Sequence, residues 1–499
     1  MINKIVFALT FLGAGILTIL TLGIPWLAWL NYLIWLSSAV GTVIFINFII
    51  LSFSNKREEV TLTSESTRLR VASFVTSFNE DPEIVKGTLD SVVKATKGYG
   101  DVFLLDDSTN ERVSNELKKY CESVGITYIH RTDRKGFKAG AINNALRMIH
   151  GYDLVSIFDA DQRPVKSYFH DILQYFQDPN VAMVQVPQNY TELGSPVALG
   201  SYYQQVPFLN VIMKGRNRRS AFSLGSGSTF RISALKDVGL MDEESITEDA
   251  ATSLKLYEKG YQVVYVNVPL IWYGEPPRDA AAFVSQQSRW ALGYFQLTRK
   301  ILKYRLNFSV FFDFIAGFFY WLKEGPLTAA ELIAPVIFLL SGLPFLVINP
   351  VLYALAYGSY IVVSMALFFY SMKGREYGVK GFLYHQFVEY LEFFGVTSSF
   401  IAWLSRRKVP FKVTPKGRSA LSLRVVIPHI IVTVLLVISI IHGIYLGLTS
   451  RDVILKYSIY VNLFWASYQL FFVIGAIFFA LKIGEDSTEN YIKEKIIKD

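Results

Sequence analysis

Long apolar stretches stand at both ends of this 499-residue chain, around a middle of mixed polar and charged composition. Residues 5–22 and 25–53 are apolar over lengths that suit a hydrocarbon core of roughly 30 Å. Apolar density returns at 326–348, 350–372, 423–448 and 457–481. With 52% hydrophobic residues and 18% charged ones, the chain is too apolar for one soluble domain, and membrane-crossing ends around a soluble centre fit best. Six spans are predicted, two before the centre and four after. The first stretch also reads as a cleavable leader, but Lys4 is a thin charged region and a second span follows directly.

An even number of spans puts both termini on one side. Lys56-Arg57, Lys373, Arg375 and Arg406-Arg407-Lys408 flank one set of span ends, whereas the connections at 22–25 and 346–350 carry no Lys or Arg. The positive-inside rule then makes the centre and both termini cytoplasmic, in a multi-pass protein of the cell membrane. Arg451 and Lys456 depart mildly from this pattern. Cys121 is the single cysteine, so no intrachain disulfide can form. The net charge of +8 is concentrated at 214–219 and 406–418. Lipid headgroups account for that charge; no nucleic-acid-binding module accompanies it.

Within the centre, short β-rich runs at 71–78, 102–105, 126–129 and 154–158 alternate with segments of helical spacing. Such alternation predicts a parallel, doubly wound α/β sheet, with ligands at the carboxyl ends of its strands. Ser77-Phe78-Asn79-Glu80, Asp106-Asp107 and Asp159-Ala160-Asp161 each follow a predicted strand, so one sheet edge would collect all three. Residues 381–404 are apolar, with His385, Glu389 and Glu392 at helical spacing. That polar stripe predicts a helix lying in the interface rather than spanning it. Residues 308–321 read either as interfacial or as the start of the third span.

The chemistry-bearing residues follow one order. Asp159 and Asp161 offer oxygen ligands that suit a hard cation, magnesium or manganese, together with a diphosphate. Thr247-Glu248-Asp249 supplies a possible general base; it also reads as a helix N-cap with acids in the first turn. Gln286, Arg289 and Trp290 offer an amide, a guanidinium fork for a pyrophosphate, and a flat apolar face for a sugar ring. Trp290 alone also suits a membrane-interface anchor.

In sequence and order these motifs resemble the membrane-embedded family-2 glycosyltransferases, the cellulose, chitin and hyaluronan synthases. The resemblance implies a GT-A catalytic domain, an inverting reaction with a UDP-sugar, Asp249 as the base on the acceptor hydroxyl, and Glu248 as the fallback. It further implies nucleotide-binding roles for Ser77, Glu80, Asp106, Asp107 and Lys138, leaving open which aspartate faces the base. Residues 411–417 look like the gating loop of cellulose synthases, with Phe411, Thr414 and Lys416 at the matching positions. At 223–228 the acceptor-side loop reads Leu224 where those enzymes usually carry cysteine, so a glucose polymer is not implied.

The expected layout is a transmembrane hairpin (1–55), a catalytic domain (56–277) and an interface region carrying Gln286, Arg289 and Trp290 (278–325). Spans three and four (326–372), an interface helix with the gating-like loop (373–422), spans five and six (423–482) and a tail (483–499) complete it. The expected partners are a UDP-sugar, a growing glycan and membrane lipids, with no nucleic acid; accessory secretion subunits are not legible. The alternative is transfer of a single sugar to a membrane lipid.

Overall fold

The computed structural model describes residues 28–54, 69–191, 193–274, 276–342, 350–407 and 423–482. The first predicted span and the gating-like loop, with Phe411, Thr414 and Lys416, lie outside these residues.

A seven-stranded sheet forms the centre of the chain. Its strands are β1 (Val71–Ser77), β2 (Gly100–Asp106), β3 (Thr127–His130), β4 (Leu154–Asp159), β6 (Val181–Gln185), β8 (Ser228–Arg231) and β9 (Gln262–Tyr265), in the order β3-β2-β1-β4-β8-β6-β9. A small three-stranded sheet of β5 (Arg163–Pro164), β10 (Ile271–Gly274) and β7 (Gln188–Tyr190) stands beside it. Along β1, Ala72 and Phe74 enter one core with Leu254 and Phe295, while Val71 and Val75 enter the other with Val85, Leu89 and Phe169. A strand buried on both faces is what a sheet covered by helices on two sides requires.

The sheet is mixed, which corrects the all-parallel expectation. β8 runs antiparallel to both β4 and β6. Register then explains what gathers at one edge. Ser77 pairs with Asp106 and Thr76 with Asp159, so three strands end level. Ser228, the first residue of β8, pairs with Ile157 and Gln185. Because β8 runs the other way, the loop before it arrives at the edge where the parallel strands finish.

Among the described residues, five helices are long and apolar enough to cross a bilayer: Tyr32–Phe53, Phe308–Ser341, Gly378–Leu404, Leu423–Thr449 and Val453–Leu481. The fourth predicted stretch forms a helix over Pro350–Ser371. The third stretch was read from Pro326, with 308–321 either interfacial or its beginning; the helix runs without a break from Phe308 over 34 residues. A π-helical turn, Lys323–Leu327, takes Pro326 inside it. A wider turn accommodates a residue without an amide proton. Gly342, left-handed at φ 68°, ends the helix by donating to Phe338 O at 2.8 Å.

Two other expectations change. The polar stripe of Gly378–Leu404 turns inward: Glu392 is fully buried beside the Gln204 amide, and Glu389 pairs with His385 at 2.9 Å. This helix packs tightly on the helix Ala280–Ile301. A Cβ on Gly395 would stand 2.4 Å from Ser288 Oγ, and Ser399 Oγ donates to Ser288 O at 2.8 Å.

The basic segment 214–219 is likewise turned toward protein. Asp313, with no exposed surface, accepts from Asn47 Nδ2 at 2.6 Å and Arg219 Nε at 2.7 Å. Ser220 Oγ also donates to its carboxylate, and Arg216 to its carbonyl. Arg218 donates to Gln262 Oε1 at 3.0 Å. Arg216 and Arg219 join the sheet region to the apolar helix of Asp313, which Asn47 ties to a second one, where the sequence pointed to headgroups. Partial satisfaction would be costly for a buried carboxylate, and the donors around Asp313 satisfy it.

Candidate active site

At the level ends of β1, β2 and β4 opens a cleft of about 360 Å³. Ser77, Glu80, Asp107, Lys138, Asp159, Asp161, Glu248, Asp249, Gln286, Arg289 and Trp290 all line it. Of the residues predicted from sequence and described, Asp106 alone is absent from the lining. It is fully buried behind the edge, accepting from Tyr128 Oη at 2.7 Å and from Ser108 N at 3.0 Å. Asp107 is the aspartate that faces the cleft, gripped by both arms of the Arg131 guanidinium. That geometry distinguishes the two adjacent carboxylates.

Glu80 folds back on its own turn, accepting from Ser77 Oγ at 3.1 Å and from the Phe78 amide. The turn holds Asn79 at φ 56°, a left-handed value asparagine tolerates. Arg134 lies over the Phe78 ring at 3.3 Å. Asp159 ends β4 and donates its amide to Ser226 Oγ at 2.9 Å. Ala160 is locked through its carbonyl to Thr88 Oγ1 at 2.6 Å, which fixes the turn between the two aspartates.

The loop 223–228 is held by a buried residue that sequence reasoning did not single out. Gln185 Oε1 accepts from Leu224 N at 2.8 Å and from Ser228 Oγ; its Nε2 donates to Ser226 O at 2.8 Å. A glutamine closing a strand as apolar as Val181–Val184 was the available signal. Gly225, at φ 86°, brings this loop against the acidic triplet: a Cβ there would lie 3.3 Å from Asp249 Oδ2.

Glu248 and Asp249 open the helix Glu248–Glu258. Thr247 is its N-cap residue but makes no side-chain cap bond, so capping does not explain the threonine. Its neighbour is the helix Ala280–Ile301, which carries Gln286, Arg289 and Trp290. A Cβ on Gly293 would stand 2.5 Å from Thr247 Cγ2. Gly293 therefore sets how closely that helix approaches the triplet, one turn after Arg289 on the same face.

Burial and the adjacent Asp249 charge push the Glu248 carboxyl up to about 7. Burial likewise pushes Asp249 up to about 6, against the opposing hydrogen bond from Ala250 N. Burial works against the charge of Lys138, but Asp159, Glu248 and Asp249 outweigh it and its pKa is raised. Arg289 is lowered by burial, with Glu248, Asp159 and Asp249 opposing. Carboxyls that titrate near neutrality are poised for proton transfer.

Among the described residues, seven acidic side chains and four basic ones line the cleft. A diphosphate entering such an acid excess needs a cation with it. Among the described residues no group of three or more His, Cys, Asp and Glu side chains forms a ready ligand cage. Asp159 and Asp161 fit a hard divalent cation of the kind that completes its shell with substrate phosphate and water.

A mixed sheet with the cleft at its strand ends and an acidic turn after the central strand is the architecture of a GT-A glycosyltransferase. Residues 154–373 match the family described as glycosyl transferase family group 2. The chain is 33% identical over 235 residues to the cellulose synthase catalytic subunit (UDP-forming) of Xanthomonas axonopodis pv. citri, covering 45% of this chain and 31% of that protein. It is 28% identical over 403 residues to the cellulose synthase 1 catalytic subunit (UDP-forming) of Komagataeibacter xylinus, covering 75% and 51%. It thus spans between about a third and a half of the length of these relatives. A mannosyltransferase from Pyrobaculum calidifontis, solved with GDP-Man and Mn2+, shares the fold at TM-score 0.53 and 17% identity, over 75% of this chain and 100% of that one. In fold and in residues 154–373 the chain is thus similar to family-2 glycosyltransferases.

Proposed function

We propose that this chain is an inverting β-glycosyltransferase that takes a UDP-sugar, extends a polysaccharide on the cytoplasmic side and passes the product through its own apolar helices. The observation that carries this reading is the convergence in one cleft of Asp159 and Asp161, Glu248 and Asp249, and Arg289 and Trp290, three motifs distant in sequence. Kinship to UDP-forming synthases supports UDP as the leaving group.

In this reading Asp249 takes the proton from an acceptor hydroxyl, whose oxygen forms a bond to the anomeric carbon as the bond from that carbon to the diphosphate breaks. The electron pair leaves with UDP. Lys138 and Arg289 neutralise the charge that develops there. Trp290 packs against a sugar ring. Asp159 and Asp161 would hold magnesium or manganese, which when bound supplies Lewis-acid stabilisation of the diphosphate. Ser77, Glu80 and Asp107 position the nucleoside end, while Asp106 supports the strand beneath. The Trp465 and Tyr468 rings give the helix bundle flat faces that suit a hydroxyl-rich chain.

The test is a panel of UDP-sugars with manganese or magnesium, using sealed vesicles with the cleft outward. The expected product is high-molecular-weight glycan that becomes luminal and resists added glycosidase. A product that is solely organic-extractable and carries one sugar would replace polymer with lipid as acceptor. No UDP release from any donor would overturn the enzyme reading.

A further inference from the structure

Lys138 stands where the donor and acceptor halves of the cleft meet. It lies in the first turn of the helix Phe137–Met148, where the positive end of the helix dipole disfavours a cation. The turn before it is rigid. Arg131 donates to Lys135 O at 3.0 Å and to Phe137 O at 2.9 Å, while the same guanidinium grips Asp107. Gly136 and Phe137 both take positive φ, 73° and 48°. Gly140 packs so closely that a Cβ would meet Lys135 O at 2.0 Å. The ammonium is thereby delivered to one place. It donates to Asp159 Oδ1 and, at 2.8 Å, to Gly225 O on the loop before β8. Only about a quarter of the side chain is exposed, at 24%.

We propose that Lys138 is a built-in stand-in for the divalent cation, a clamp that ties Asp159 to the Gly225 loop until metal and nucleotide replace it. This rests on the reading that Asp159 and Asp161 hold the metal and diphosphate. Ammonium and divalent cation compete for Asp159, so metal binding without nucleotide must break the clamp and leave the ammonium beside a second, doubly charged cation. With a diphosphate present, the freed ammonium gains an anionic partner. Cation and nucleotide therefore bind cooperatively, and by linkage each strengthens the other by the same factor. Release of Gly225 removes one tie from the loop that borders Asp249, leaving those from Gln185, so the acceptor side loosens only once the donor side is filled.

The test measures Mn2+ binding by electron paramagnetic resonance, with and without UDP, on the purified full chain and on Lys138→Met and Lys138→Arg. Lys138→Met should raise nucleotide-free Mn2+ affinity about 5- to 10-fold and lower UDP affinity at saturating Mn2+ by a similar factor, within the usual range of coupling between sites. Lys138→Arg, which keeps the charge, should retain the cooperativity. A gain in one affinity with a loss in the other cannot arise from misfolding. Nucleotide-free Mn2+ affinity that is unchanged or weaker in Lys138→Met overturns the clamp while leaving the donor-site reading intact. Absence of Mn2+ binding by the wild type even with UDP would overturn both.

Discussion

Two acidic regions of this molecule treat buried carboxylates in opposite ways. At the junction with the apolar helices, Asp313 is surrounded by donors: Asn47, Arg219 and Ser220 on its carboxylate and Arg216 on its carbonyl. In the cleft, acids outnumber bases seven to four and half-buried carboxyls are held near their titration points. Full satisfaction makes the first region a rivet between domains. The acid excess leaves the second ready for an incoming cation, a proton and a sugar hydroxyl. The same residue types thus serve cohesion or chemistry according to how many donors the fold supplies.

The largest break in that contrast should come from Asp249→Asn, which removes the proposed base. Turnover is expected to fall about 100- to 10,000-fold, with UDP binding by calorimetry largely retained; substantial turnover would take Asp249 out of this role. The wild-type pH profile sharpens the same assignment. A base must be ionised to accept a proton, and the raised Asp249 carboxyl, at about 6, is protonated below that pH. The rate should therefore rise as pH increases through about 6. A rate that falls over this interval would mark the group as an acid.

The junction should respond in stability. Asp313→Ala leaves buried Asn47 and partly buried Arg219 around an absent partner, and the expected loss is at the lower end of that for breaking a buried pair, about 3 kcal/mol. Thermal unfolding in detergent reads it, and an unchanged midpoint would show that lipid or water substitutes for the carboxylate.

Between the two regions lies Gly293. Gly293→Ala should push the helix carrying Arg289 and Trp290 away from Thr247, lowering turnover about 10- to 100-fold by misplacement. Nucleotide affinity should fall less than turnover, since Ser77, Glu80, Asp107, Asp159 and Asp161 sit on other elements and only Arg289 shares this helix. Equal losses in turnover and UDP affinity would point to wider collapse. The smallest contrast is between neighbours. Asp107→Ala should weaken UDP binding, whereas Asp106→Ala should cost about 1–3 kcal/mol of stability through the orphaned Tyr128 hydroxyl and Ser108 amide. Reversal of that pattern would exchange their assignments.

What the sequence by itself determined is whatever depends on local period and order. The β-rich runs at 71–78, 102–105 and 154–158 and their trailing polar residues placed Ser77, Asp107 and Asp159 at strand ends, because strand and helix signals are local. The order of the acidic and Gln286-to-Trp290 motifs carried the family resemblance in the same way. Tertiary structure alone decided pairings between distant segments. Ser228–Arg231 is a short run whose antiparallel direction only its neighbours fix, and that direction delivers Gly225 to Asp249. Whether Arg216 and Arg219 meet headgroups or Asp313, whether Glu392 faces outward or toward Gln204, and which of Asp106 and Asp107 faces the cleft turn on partners up to 188 residues away. Charge and periodicity show that such a side chain needs a partner, because an unpaired buried charge is costly. Only packing determines which partner it receives.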